Sequence, residues 1–370
     1  METKPMILLT TSLLAYIFAS FQFLYFPEIA RAIQKEVSLD TRSGISTYQD
    51  AESARPEICW LMSYPNSGTS FTMKLVGRLT NATVASNYGQ ECIDFDKNGQ
   101  EQRENMYENP SHERKPIPLF NESPNGPFLL NPERTLPRSY ILTKTHCGGR
   151  CNECGSKGFL ETPNSFLEAC ATGSLGTDPK TGTKKRISYD PSFVKKAIHI
   201  ARDPFDNIVS NFHLEYHEKK KDSNRHWLQT YSNDRNGFRK WCMNLNAKYP
   251  FDFVEYNATF SPSIMQTIQE VPCYKLFFQI IQWHNLASHV TKELHLPSLL
   301  LHYEDYEDDF NKTIEKISTF IDISQGKGVA YFTPGKRYKH YFRANEIKKL
   351  KGFVVKLSTE KTWKILQRYF

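Results

Sequence analysis

The stretch EICWLMSYPNSGTSFTMKLVGR, residues 57–78, decides the fold of this chain. It opens with an apolar run at 58–62 that has the length and composition of a buried strand. A loop of small residues follows at 64–70, and apolar residues then return at helical spacing. A strand that passes through a tight loop into a helix leaves backbone N–H groups pointing outwards at the helix start. This stretch therefore predicts an anion-binding site.

The loop residues are small enough for the backbone to approach a phosphate, and their hydroxyls add hydrogen-bond donors. They are Asn66, Ser67, Gly68, Thr69 and Ser70. An ordinary strand-to-helix turn with a Ser or Thr cap is the alternative interpretation of the same pattern. Because the loop lacks the Gly-Lys-Ser/Thr ending of a Walker A loop, an enzyme that splits ATP or GTP is not supported.

The composition is that of a globular protein that can bury a large core. The chain has 370 residues, including 25 Phe and 19 Tyr, and its formal net charge is +7. This length favours one domain of about 250–300 residues with extensions. The small positive charge suits an anionic ligand, but no nucleic-acid-binding motif accompanies it, so we expect no nucleic-acid partner.

Residues 6–26 form an uncharged run that is long enough to cross a bilayer as a helix. Lys4 before the run and Glu28 after it favour a cytoplasmic N-terminus and a lumenal remainder. We therefore predict a cytoplasmic tail at 1–5, a transmembrane anchor at 6–26, a polar stem at 27–56 and a lumenal domain at 57–370. The alternative is a cleaved signal peptide and a secreted protein, although the bulky end of the run offers no small-residue cleavage site.

Two further features agree with a lumenal domain. Glycosylation sequons begin at Asn81, Asn121, Asn257 and Asn311. Eight cysteines all follow the predicted anchor, and an even number in an oxidising lumen predicts disulfides, although the sequence cannot choose the pairing. Cys59 lies inside the predicted buried strand and is a candidate free thiol.

Strands and helices alternate along the rest of the chain. We predict strands at 58–62, 139–145, 195–201 and 297–303, and helices after residue 70, from 204, over 274–294 and over 309–321. The helix from Pro204 is expected to bury Ile208, Val209, Phe212 and Leu214. Residues 98–138 and 171–188 are interpreted as surface loops. This alternation predicts an α/β fold with a central, mostly parallel sheet flanked by helices.

Four segments resemble the sulfotransferases that use PAPS (3′-phosphoadenosine 5′-phosphosulfate). YPNSGTSF at 64–71 is similar to the family's Tyr-Pro-Lys-Ser-Gly-Thr-Thr-Trp loop, and KTH at 144–146 matches its Lys-Thr-His. RDPFDNIVS at 202–210 resembles the motif with Arg-Asn-Pro-x-Asp and a later Ser, and residues 299–323 resemble the strand, Tyr-Glu-Asp turn and helix. The segments follow the family's order and cover roughly residues 57–345. The resemblance implies a P-loop-like fold related to the nucleotide kinases, with ligands at the carboxyl ends of the strands.

The resemblance also implies which residues bind the donor. Residues 66–70 would hold the 5′-phosphate of PAPS, whereas Arg202 and Ser210 would bind its 3′-phosphate. Lys336 and Arg337 lie in a basic segment that is similar to the family's C-terminal region, and they are further candidates for donor contact. The implied reaction requires no metal ion.

The same resemblance makes His146 the catalytic base, and Lys144, two positions earlier on the strand face, would reach the transferring oxygens. One departure is that Asn66 stands where the family's loop carries a lysine. Asparagine brings no charge, so Lys144 must substitute for that lysine or the activity is reduced or absent. A different interpretation is that His146 and Cys147, with Cys151 and Cys154, bind zinc, but an oxidising compartment favours disulfides.

These features together predict a Golgi-type, single-pass, type II membrane sulfotransferase. It would transfer a sulfuryl group from PAPS to a hydroxyl, with a glycan as the leading acceptor and protein tyrosine, a lipid or a small metabolite as alternatives. Two other functions stay open, namely a kinase-like phosphotransferase and a catalytically silent member that binds a nucleotide or a glycan.

Overall fold

The computed structural model describes residues 57–80, 84–88, 127–129, 140–148, 162–177, 184–248, 266, 269, 271–324, 332–335 and 337–370. The chain divides into two units, Met1–Ser53 and Ala54–Phe370, and every described residue belongs to the second. The predicted tail, anchor and stem therefore lie outside the described residues. Within the described ranges, no helix is both long and apolar enough to span a membrane.

A mixed but mostly parallel sheet forms the centre of the second unit. The strands are β1 Glu57–Ser63, β2 Ala85–Ser86, β3 Phe128–Leu129, β4 Tyr140–Thr145, β5 Thr172–Thr177, β6 Lys184–Ser188, β7 Val194–Ala201 and β8 Ser298–His302. Six of them form one sheet in the order β3-β2-β4-β1-β7-β8, while β5 and β6 form a separate hairpin. Neighbours in the large sheet run parallel except β2 and β3. The predicted α/β fold is confirmed.

Helices cover both faces of this sheet. They are α1 Thr69–Thr80, α2 Pro163–Cys170, α3 Pro204–Lys221, α4 Arg225–Thr230, α5 Arg235–Lys248, α6 Tyr274–Glu293, α7 Asp305–Asp308, α8 Phe310–Phe320, α9 Ala344–Leu357 and α10 Glu360–Leu366. Short 3₁₀ turns lie at Pro191–Phe193, Lys339–Tyr341 and Gln367–Tyr369. Side chains of β1 alternate between two cores: Ile58, Trp60 and Met62 pack with α3 and α6, whereas Cys59 and Leu61 pack with α1 and α8. The alternation follows from the two-residue period of a strand.

The start of α3 is fixed by its sequence, and one expectation about its buried side is wrong. Asp203 accepts the Phe205 N–H at 2.8 Å, and Pro204 occupies the first turn, where its missing N–H costs nothing. Phe212 is buried as predicted, but Leu214 is 44% exposed. Two positions along a helix correspond to about 200° of rotation, so Leu214 faces away from the buried stripe.

The predicted surface loop at 171–188 is wrong, because most of it forms the β5–β6 hairpin. The hairpin docks through its backbone: a Cβ added to Gly173 would lie 2.1 Å from the Asn87 carbonyl oxygen. The periodicity of apolar residues could not indicate this contact, because glycine has no side chain that would contribute to an apolar pattern. Within the other predicted loop, 98–138, the described residues include β3, which is an edge strand.

Disulfides connect elements around the sheet. Cys147, just after β4, is bonded to Cys170 at the end of α2, and Cys242 of α5 is bonded to Cys273 before α6. Cys59 is buried and free, as predicted, and burial raises the pKa of its thiol. The remaining cysteines, at 92, 151 and 154, lie outside the described residues.

Candidate active site

All the predicted site residues that the structure describes lie at the carboxyl edge of the parallel strands or beside it. The loop at 64–68 follows β1, His146 follows β4 and Arg202 follows β7. These strands are direct neighbours, because β1 pairs with both β4 and β7. Ligands of an open α/β sheet bind at this edge, where loops from adjacent strands form a crevice.

The loop after β1 depends on two backbone positions in the left-handed region. Asn66 has a φ of 64° and Gly68 a φ of 94°. A Cβ on Gly68 would lie 2.2 Å from Cδ2 of Tyr303, so only glycine fits against that ring. The first described hydrogen bond into α1 runs from the Thr72 N–H to the Gly68 oxygen at 2.9 Å. The N–H groups before it have no partner within a helix and can face an anion.

Helix α3 holds the loop through Asn207. Its Nδ2 donates to the Pro65 carbonyl at 2.8 Å and to Ser67 Oγ at 3.1 Å. The Asn66 Nδ2 atom, in contrast, is buried without a hydrogen-bond partner among the described residues. An unpaired buried donor costs about 1–3 kcal/mol, which an oxygen of a bound ligand would offset. The loop therefore fits an anionic ligand.

Arg202 joins the loop to α3. Its guanidinium donates to the Asn66 carbonyl at 2.7 Å and to Ser210 Oγ at 3.0 Å, and it lies 5.1 Å from the ring centroid of Tyr303. The structure thus brings together Arg202 and Ser210, the two residues predicted to share a phosphate. It also places them directly beside the loop.

A pocket opens beside Arg202, and its walls carry acidic groups. The lining residues are Arg202, Asp206, Tyr303, Glu304, Glu307, Phe332, Gly335 and Arg337. Arg337 lies 3.5 Å from Asp206 and 3.7 Å from Glu304, and also pairs with Glu307. Burial raises the pKa of Asp206 in spite of the nearby guanidinium groups. Arg337 is therefore at the pocket but engaged with carboxylates, whereas Lys336 lies outside the described residues.

His146 is held by contacts that fix its tautomer. Nδ1 lies 2.9 Å from the carbonyl oxygen of Ser63 at the end of β1. A carbonyl oxygen only accepts, so in the neutral ring Nδ1 carries the proton and Nε2 carries the lone pair. The backbone oxygen of His146 also accepts the Trp283 Nε1–H at 2.8 Å. The arrangement leaves Nε2 as the atom that can take a proton.

Lys144 reaches the loop helix from the neighbouring strand. Its side chain is 1% exposed, and its Nζ donates to Ser70 Oγ at 2.7 Å. The ammonium therefore lies at the first turn of α1, next to the predicted anion site. An ammonium at this place can supply the charge that Asn66 lacks.

Several residues of the site were not singled out from the sequence. Asn207 and Tyr303 lie within the quoted motifs, so their positions after β7 and β8 could have indicated them. Ser63 and Tyr88 contact His146, but no pattern in the sequence points to either. Ser63 Oγ also forms a short contact with the Thr69 hydroxyl, so Ser63 links His146 to the start of α1.

The zinc interpretation loses one of its ligands in the structure, because Cys147 is bonded to Cys170. Across the part of the chain that is described, no group of three or more His, Cys, Asp or Glu side chains is arranged to hold a metal ion.

Of the predicted sequons, Asn311 is described, and it is exposed on α8. The hydroxyl of Thr313 in this sequon is buried and donates to the Asp305 oxygen at 3.0 Å.

A mostly parallel sheet whose carboxyl edge carries the loop at 64–68 and Arg202 has the arrangement in which open α/β proteins bind their ligands. A family model described as the sulfotransferase domain matches residues 192–362, somewhat less than half of the chain. This range contains Arg202, Ser210 and Arg337, and it supports membership of the sulfotransferase family. A comparison with curated proteins finds no match.

Proposed function

We propose that this protein transfers a sulfuryl group from PAPS to a hydroxyl acceptor. The observation that carries the proposal is the position of Arg202, which hydrogen-bonds both the loop at Asn66 and the hydroxyl of Ser210. Two anion-binding groups side by side suit a nucleotide with one phosphate at its 5′ position and another at its 3′ position. A triphosphate would instead need the loop lysine of a Walker A motif, which this chain lacks.

The surroundings of Arg202 also suit the rest of the donor. Three aromatic rings lie together at this edge: Phe71 and Tyr303 have centroids 5.5 Å and 5.3 Å, respectively, from that of Phe332. Aromatic faces accept a stacked purine without requiring a particular base. In the proposed complex the nucleotide lies across the strand ends, with its 5′-phosphate at the loop and its base against these rings.

In the proposed reaction, the acceptor hydroxyl gives its proton to Nε2 of His146 while its oxygen forms a bond to sulfur. The bond between sulfur and the bridging oxygen of the donor breaks, and its electron pair leaves with the adenosine 3′,5′-bisphosphate. The Lys144 ammonium, held at Ser70, offsets the negative charge that develops on the bridging oxygen. Most of the rate enhancement then comes from positioning and electrostatic stabilisation.

The acceptor and the location are further parts of the proposal. The uncharged run at 6–26 supports a type II anchor in the Golgi membrane, and lumenal enzymes of this kind meet glycans. A carbohydrate hydroxyl is therefore the leading acceptor, ahead of protein tyrosine, a lipid or a small metabolite. Secretion after signal cleavage is the alternative location.

One specific observation favours a second function. Asn66 brings no charge to the loop, and a site with correct binding groups but weak charge stabilisation would bind the nucleotide without turning it over. A catalytically silent member of the fold is therefore the second candidate.

The test is transfer of label by the full chain. Sulfur-labelled PAPS and phosphorus-labelled ATP are each incubated with glycans, tyrosine peptides and phenols. We expect sulfate transfer that is lost in His146→Gln and kept in the matched control His226→Gln, because His226 is exposed on α4. Phosphate transfer from ATP would contradict the proposal. Tight binding of the bisphosphate product without any transfer would favour the silent alternative.

A further inference from the structure

Tyr88 lies beside the proposed base because of strand register. β2 runs parallel to β4 with Ser86 opposite Lys144, so a residue two positions further along lies next to His146. The backbone here is firmly held: Asn87 N–H donates to the Lys144 oxygen at 3.0 Å, and Tyr88 N–H donates to Ser86 Oγ at 3.0 Å. Tyr88 is therefore placed by the sheet itself.

Tyr88 contacts His146 in two ways. Its hydroxyl oxygen accepts the backbone N–H of His146 at 3.0 Å. The two rings also stack, with centroids 5.5 Å apart and planes inclined by 26°. Together with the Nδ1 contact to Ser63, these interactions fix the position of the imidazole and the direction of its Nε2 lone pair.

The same tyrosine ring also meets Lys144. The ammonium lies 5.6 Å from the ring centroid while it donates to Ser70 Oγ. The face of an aromatic ring carries negative potential and attracts a cation at this distance. One side chain thus contacts both groups that the proposed reaction requires, the base and the cation.

We propose that Tyr88 is a positioning residue for sulfuryl transfer, which keeps His146 and Lys144 at a fixed separation across one bound donor and acceptor. The inference rests on the proposed function. The Tyr88 hydroxyl holds the backbone of His146 in place. The Tyr88 ring holds the imidazole of His146 and the ammonium of Lys144 in place. Loss of the Tyr88 side chain therefore lowers turnover, because His146 and Lys144 lose their fixed positions. Donor binding stays unchanged, because neither contact requires Tyr88 to touch the donor.

Two variants separate the hydroxyl from the ring. Tyr88→Phe removes only the acceptor oxygen, and we expect kcat to fall about tenfold, whereas Tyr88→Leu also removes the ring and lowers kcat about 100-fold. The KM for PAPS and the calorimetric Kd for adenosine 3′,5′-bisphosphate stay within about twofold of the wild type. The matched controls are Tyr216→Phe and Tyr216→Leu, because the ring of Tyr216 packs on Trp227 outside the site. Both controls keep the wild-type kcat.

A second readout does not depend on activity. A proton above a stacked aromatic ring is shielded, so the ring-proton resonances of His146, assigned by their absence in His146→Gln, shift downfield in Tyr88→Leu and much less in Tyr88→Phe. Unchanged kcat and unchanged resonances in Tyr88→Leu overturn the role of Tyr88. A loss of donor affinity in Tyr88→Leu that is as large as its loss of kcat also overturns it. Absence of sulfate transfer by the wild type overturns the proposed function, and the resonances then report the Tyr88–His146 contact alone.

Discussion

The substitution Gly68→Ala tests the loop most sharply, because the structure gives two separate reasons for its cost. Gly68 has a φ of 94°, and an added Cβ would lie 2.2 Å from Cδ2 and 2.5 Å from Cε2 of Tyr303. The left-handed region costs an L-residue about 1–2 kcal/mol, and overpacking costs about 1–3 kcal/mol. We therefore expect Gly68→Ala to lower the free energy of unfolding by about 2–5 kcal/mol.

The ring of Tyr303 cannot move aside freely. It packs edge-on against Phe71 and Phe332 with centroids 6.4 Å and 5.3 Å away, and Arg202 lies over it at 5.1 Å. A displaced ring would move Arg202, so Gly68→Ala also weakens binding of adenosine 3′,5′-bisphosphate. In a Tyr303→Ala background the clash is absent, so adding Gly68→Ala to that variant should cost only the backbone strain of about 1–2 kcal/mol.

Urea unfolding is the assay, with an unchanged m-value and a lower midpoint as the expected result. Gly352→Ala is the matched control, because a Cβ at Gly352 on α9 meets nothing within 4 Å. Alanine in a helix interior stabilises by about 0.5–1 kcal/mol relative to glycine, so the control shifts the midpoint upwards. If Gly68→Ala is as stable as the wild type, the loop does not have the described conformation.

Three further predictions concern stability. Burial, with a neighbouring carboxylate, raises the pKa of Asp203 to about 7, so the stability that its protonated form contributes is lost as pH rises from about 4 to 7. Asp203→Asn should therefore be more stable than the wild type above pH 7 by on the order of 4 kcal/mol, and an equal difference between the two proteins at pH 5 and pH 8 would contradict this. Burial lowers the pKa of His199 to about 3, so stability falls as pH drops from about 6.5 towards 3. Glutamine at this position can still hydrogen-bond His284, so the urea midpoint of His199→Gln should fall less than that of the wild type as the pH drops. The same pH dependence of the midpoint in both proteins would argue against a buried neutral imidazole. The Cys242–Cys273 bond joins positions 31 residues apart, so replacing both by serine should cost about 3–4 kcal/mol in non-reducing urea unfolding, whereas wild-type stability would mean that the bond does not contribute.

The parts of the fold that the sequence predicts are those with local signals. β1 is a short apolar run, α1 has apolar residues at helical spacing, and α3 begins at an Asp-Pro pair. The order of the strands has no local signal, because it depends on which strands pair across long stretches of chain. The docked hairpin at 172–188 has no apolar pattern in the sequence either, because Gly173 packs on Asn87 through backbone atoms.

The site divides in the same way. The loop at 66–70, His146 and Arg202 could be predicted because each lies in a motif that follows a strand. The contact of Arg202 with Asn66 spans 136 positions, and that of His146 with Tyr88 spans 58. Such contacts follow from strand register, which the two-residue strand β2 does not reveal in the sequence.

The central claim is that the loop and Arg202 hold two separate phosphates of one nucleotide, and calorimetry tests it most directly. Adenosine 3′,5′-bisphosphate and adenosine 5′-phosphate are titrated into the full-length wild type and Arg202→Lys, which keeps the charge but loses the planar fork. Because a hydrogen bond to a charged group contributes about 1.5–3 kcal/mol, the wild type should bind the bisphosphate at least about tenfold more tightly. Arg202→Lys should remove most of that preference while binding adenosine 5′-phosphate as before. Equal affinity of the wild type for the two nucleotides, or tighter binding of magnesium ATP, would contradict the account.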